Sequence, residues 1–132
     1  MTDRESVLQA HLSMWRRSAF VWGSSDCMMS IASYVLDITG HDVGAPWRGR
    51  YEDAAGGMKF VEAAGGGCAL MDNGLTAIGL PRVDIARRGD PVCAEIHGMQ
   101  IGGIYLGPMT AFRLEGRGQI DLRVKHLGVW RL

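Results

Sequence analysis

A single α+β domain is the fold class this sequence predicts, on three observations. Helical periodicity fills the first part of the chain, and short alternating apolar segments fill the part after Pro81. The length of 132 residues suits one self-sufficient core. Helices first and strands second is the order in which helices cover one face of an antiparallel sheet. The domain is read as residues 1–132, with a helical part over about 4–79 and a sheet part over about 81–132.

From Arg4 to Arg17, Val7, Leu8, Leu12, Met14 and Trp15 recur at helical spacing, which predicts an opening helix. Ser24, Ser25 and Asp26 then supply residue types that cap helix starts. The apolar run from Cys27 to Thr39 stops at Gly40 and predicts a buried central helix. Two shorter helical patterns, Tyr51–Ala64 and Cys68–Ile78, flank Gly65-Gly66-Gly67. That triplet is a turn and not a phosphate cradle, because Cys68-Ala69 stands where a P-loop needs Lys-Ser/Thr. Beyond Pro81, residues 83–85, 91–96, 101–106, 110–114, 120–124 and 129–132 are predicted as five or six strands of one antiparallel sheet.

Composition excludes several classes of function. Hydrophobic content of 47% with 21% charged residues is that of a globular chain and rules out a disordered one. Fourteen basic residues balance fourteen acidic ones, and the short pairs Arg16-Arg17 and Arg87-Arg88 make no basic face, so nucleic acid is not an expected partner. No apolar run approaches the ~18 residues of a membrane span, and the mixed-charge start lacks the form of a secretory signal. The expected location on synthesis is the cytoplasm. Three cysteines far apart, Cys27, Cys68 and Cys93, predict reduced thiols, and with no CxxC pair neither a metal nor a cofactor is expected. The eight methionines read as adaptable core filler. Arg88-Gly89-Asp90 reads as a turn between strands.

Cys27 is the residue in which chemistry concentrates. In the first turn of a helix, N–H groups and the helix dipole stabilise a thiolate and lower its pKa, although a lone cysteine is also an ordinary small core residue. Phe20-Val21-Trp22-Gly23-Ser24-Ser25-Asp26-Cys27 resembles the lead-in to the nucleophile of the NlpC/P60 cell-wall peptidases. Arg88-Gly89-Asp90-Pro91-Val92 is similar to that family's Gly-Asp turn into its first long strand, and Gly103-Ile104-Tyr105-Leu106-Gly107 to the end of its histidine-bearing strand. The likeness spans residues 20–107. It implies a papain-like domain in which a helix-borne cysteine attacks a peptidoglycan stem peptide, a sheet histidine serves as base, and a third polar residue orients the histidine. The Trp-Gly-x-x-Asp-Cys form resembles divergent versions from phage tail modules and gene transfer agents. These imply partners among tail hub or tip proteins, and a virion location after synthesis.

The departures carry equal weight. Ile101 stands where that family places its base, and residues 110–113 offer no His, Asn or Gln for the third position. Neither Ile nor Arg accepts a proton. His97 is the candidate substitute, on the expectation that Gly98-Met99-Gln100 forms a three-residue loop and sets His97 across from Ile101. His41 and His126 read as exposed polar residues, and His11 as packed or solvated on the first helix. Trp22, Asp26 and Tyr51 are candidate substrate-binding residues. Trp22, Trp47 and Tyr51 either line a sugar-binding cleft or anchor loops. Two functions follow: a degenerate NlpC/P60-like domain acting as a structural or adaptor subunit of a phage-like tail tip, or an active cysteine hydrolase with the N–H groups around Cys27 as oxyanion site and His97 as base.

Overall fold

A computed structural model of the chain describes residues 3–132 and has an α+β architecture. Four helices come first, α1 (Arg4–Arg17), α2 (Met29–Thr39), α3 (Ala54–Ala64) and α4 (Gly67–Ala77). Five strands follow, β1 (Pro91–Ile96), β2 (Met99–Tyr105), β3 (Thr110–Leu114), β4 (Gly118–Leu122) and β5 (Gly128–Val129). They form one antiparallel sheet in the order β4-β3-β2-β1-β5. Among the described residues no helix is long and apolar enough to cross a membrane.

Local chemistry sets the helix limits. The Asp3 carboxylate accepts from Glu5 N and Ser6 N at the start of α1, and Asp53 accepts from Gly56 N at the start of α3, satisfying donors that lack helical partners. Asp53 thereby moves the expected helix start from Tyr51 to Ala54. Gly40 ends α2 with φ 80°, and Gly65 ends α3 with φ 95°, so Gly65 and Gly66 make the turn between α3 and α4 and Gly67 opens α4. Cys27 and Met28 fall in a turn ahead of α2.

The sheet corrects three expectations. Residues 83–85 form no strand; Arg82 makes a single bridge to Trp130, and Ile85 is exposed. The last strand shrinks to Gly128–Val129. The β1–β2 hairpin closes through two residues, since Ile96 pairs with Met99, and Ile101 lies across from Ala94. His97 therefore occupies the turn itself, with φ 51° beside Gly98 at φ 79°, the pair of positive φ values of a type I′ turn.

Alternation along β1 sends neighbours to different clusters. Cys93 joins Trp15, Tyr34, Val35, Ile104 and Trp130 in the larger core, while Ala94 joins Ile101 and Phe112 in a smaller one. Two buried charges tie the layers together. Asp90 accepts from Arg87 N, Leu132 N and Arg131 Nε, with Arg4 Nη2 at 3.4 Å, so the Gly-Asp turn is an ion-paired anchor. Arg113, wholly buried in β3, donates to the carbonyls of Trp15 and Ser18 at the end of α1 and to Ser25 O at 2.7 Å in the loop before Cys27. A cation at the C-terminal end of a helix also meets the favourable end of its dipole. Arg113→Ala is expected to lower the unfolding free energy by about 2–4 kcal/mol, because it strands the buried Trp15 carbonyl and the part-buried Ser18 and Ser25 carbonyls that bonded a charged group, with Arg113→Lys less damaging. Urea unfolding monitored by circular dichroism measures it.

Cys68 and Cys93 are joined in a disulfide that pins α4 to β1, with their Cα atoms 5.6 Å apart. The expectation of three reduced thiols is thus corrected, since the intervening helix and loop bring together cysteines 25 positions apart. Closing a loop of that length stabilises a fold by about 3.5 kcal/mol on chain-entropy grounds. Thiol titration of the denatured chain is expected to find one free thiol without reductant, Cys27, and three with it.

A candidate ligand cleft at Cys27

The loop before α2 is shaped by one carboxylate. Asp26, 1% exposed, accepts from Gly23 N at 2.8 Å, Met28 N at 3.0 Å and Met29 N at 2.9 Å, and also from the Tyr51 hydroxyl. It caps α2 with two of these bonds and fastens the Tyr51 segment with another. Gly23 completes the join. Its φ of +81° is in the left-handed region, and a Cβ there would lie 2.3 Å from Tyr51 O. Gly49 N donates to Gly23 O, so residues 22–26 and 49–51 form one unit.

Beside this unit opens a cleft of about 520 Å³. Cys27, Trp22, Trp47 and Tyr51 line it, so the structure brings these four predicted residues together. Ile101 and Gln100 contribute from β2, and Met58, Phe60 and Val61 from α3. Asp26 also lines it, but its recorded partners are backbone N–H groups and Tyr51, which makes it a positioning residue. Trp22 is held by Nε1 donating to Glu115 at 2.9 Å.

The sulfur is not poised as a thiolate. Burial pushes the Cys27 thiol up to about 12, and the Asp26 carboxylate adds to the rise; the N–H groups of Cys27 and Met28 oppose it without prevailing. This reverses the lowered pKa expected for a helix-borne cysteine. Cys27 precedes the helix, and the donors of Met28 and Met29 already bond Asp26. It packs instead on Ala94, Ile101 and Phe112, an apolar cluster. Burial and Asp26 likewise raise the Tyr51 hydroxyl well above its ordinary value.

The histidines lie elsewhere, and none is among the described residues that line the cleft. His97 is exposed in the hairpin turn. His41 is exposed beyond α2. His126, expected to be exposed, is half-buried, 3.0 Å from Thr110 Oγ1 and edge-on to Tyr105, and burial lowers its pKa. His11 is buried, with Nε2 2.6 Å from Asp37 Oδ2.

An α+β chain with an apolar, cysteine-bearing cleft and no imidazole among the described residues of its wall is the class that fold and site define. The chain belongs to the DUF6950 family, a domain of unknown function whose family model matches residues 1–132. No curated protein and no solved structure matches it.

The raised Cys27 pKa has a signed consequence for stability. Above the free-thiol pKa of about 8.5 the unfolded chain loses a proton that the folded chain keeps, so stability present below that pH is lost as pH climbs toward 12. Cys27→Ala removes this penalty. Its stability relative to the unsubstituted chain is expected to rise between about pH 8.5 and 10, by at most about 1.4 kcal/mol per pH unit, read from paired urea melts.

Proposed function

We propose that this chain is an NlpC/P60-like domain of papain type that has lost hydrolysis and serves as a structural or adaptor subunit of a phage-like tail tip. The observation that carries the loss of chemistry is the environment of Cys27. Its thiol is held protonated and packs on Ala94, Ile101 and Phe112, where a thiol hydrolase needs a proton acceptor within hydrogen-bond reach. The lead-in Trp22-Gly23-Ser24-Ser25-Asp26-Cys27 supports the family and the tail association by resemblance. Helices followed by an antiparallel sheet, with Cys27 just ahead of the central helix, are compatible with that ancestry.

Iodoacetamide labelling tests the reading. At neutral pH the folded chain is expected to label Cys27 more slowly than the urea-unfolded chain does, and purified peptidoglycan is expected to release no stem peptides. Fast labelling together with release that Cys27→Ala abolishes would overturn it. Ile101→His supplies a sharper probe, since Ile101 occupies the position where the resemblance puts the base. An imidazole there is expected to raise the labelling rate about tenfold, the effect of a fall of about one unit in a thiol pKa far above the assay pH. An unchanged rate in a folded variant would show that Ile101 is not at the base position.

A further inference from the structure

Methionine is distributed unevenly around this molecule. Of eight in the chain, Met28, Met29, Met58, Met71 and Met99 line the cleft at Cys27. Core filling does not account for them all. Met29 and Met71 are buried, Met28 and Met58 are half-buried, and Met99 is 44% exposed. Helix α3, which gives Met58, Phe60 and Val61 to the same wall, has no fully buried residue. An unbranched thioether is flexible and polarizable, which suits a surface that must repack around an apolar guest.

Charge narrows the guest. Glu62 and Glu95 are the exposed ionisable groups of the lining, neither has an ion-pair partner among the described residues, and the lining holds no Lys, Arg or His. Of the basic residues beside the lining, Arg48 is engaged by Asp42 and Ser33, while Arg50 and Lys59 are exposed outside it. An apolar cleft with unpaired carboxylates favours an apolar guest flanked by positive charge and disfavours an anionic one.

We propose that the cleft is a docking site for a partner-protein segment that inserts apolar side chains among the methionines and sets flanking Lys or Arg against Glu62 and Glu95. The volume of about 520 Å³ accommodates a few large side chains, as in helix-in-groove recognition. This inference rests on the adaptor reading, because it assigns the cleft to holding a segment and not to cutting one.

The methionine methyls provide the test. The full chain, labelled with ¹³C at methionine methyls, is titrated with a synthetic amphipathic helix of leucine and lysine and, separately, with its leucine and glutamate counterpart. The lysine peptide is expected to shift the signals of Met58, Met71 and Met99 and to leave those of Met14 and Met109, which lie outside the cleft lining, in place. The glutamate peptide is expected to shift none. Glu62→Gln with Glu95→Gln is expected to weaken the lysine peptide about fivefold, as for two partly exposed charge pairs. Equal binding of both peptides, shifts outside the cleft alone, or no loss in the double variant overturns the proposal. Mass spectrometry of the same samples separates the two readings. Intact peptide without cleft shifts sinks the docking site and spares the adaptor, whereas peptide cleavage that Cys27→Ala abolishes sinks both.

Discussion

The arrangement around Cys27 depends on a single buried carboxylate and the four donors aimed at it. Asp26 draws in Gly23 N, Met28 N, Met29 N and the Tyr51 hydroxyl, so one side chain fixes the start of α2, the turn ahead of it and the segment that leads toward α3. A charge with no such partners would be strongly penalised at 1% exposure. With them it is stable, and it ties the loop at four points. The aromatic side of the cleft is a consequence, because Trp22 and Tyr51 sit on the two segments that Asp26 and Gly23 join.

Arg113 grips the same loop from the opposite side and with the opposite charge. Among the described residues its guanidinium bonds oxygens of Trp15, Ser18 and Ser25 and no carboxylate. Burial lowers its pKa, yet an arginine stays protonated in such a place where a lysine would lose its proton more readily. Its planar fork reaches both the end of α1 and Ser25, so sheet, first helix and cysteine loop form one body. Residues 110–113, which the sequence reading set near the expected orienting position, thus contain a structural clamp.

Much of this was legible in the sequence, and the parts that were not share a physical cause. Helical periodicity marks α1 at both ends, and capping residue types mark the turn before α2, because those signals are local. The sequence left open whether Trp22, Trp47 and Tyr51 line a cleft near Cys27 or anchor loops, and in the structure all three line the cleft with Cys27. The hairpin register was missed although its cue was present: His97-Gly98 suits two residues of positive φ, since histidine tolerates the left-handed region better than most. The Cys68–Cys93 pair and the buried Arg113 had no local cue at all. Each depends on segments 25 or more residues apart meeting across the core, and nothing in the residues beside Arg113 distinguishes it from a solvated strand arginine.

Capping and catalysis compete at the helix start. A thiol hydrolase leaves N–H groups near its nucleophile free for a developing oxyanion, and uses the helix dipole to hold the sulfur as a thiolate. Here Met29 N bonds Asp26 and Met28 N is shared between Asp26 and the Cys27 sulfur, while the Asp26 carboxylate is itself a neighbour that raises the Cys27 thiol. Packing on Ala94, Ile101 and Phe112 removes the remaining solvation that a thiolate needs. The interaction that gives the cleft its shape therefore opposes the reaction its cysteine suggests. What that interaction leaves in the wall of the cleft is a protonated sulfur in apolar packing.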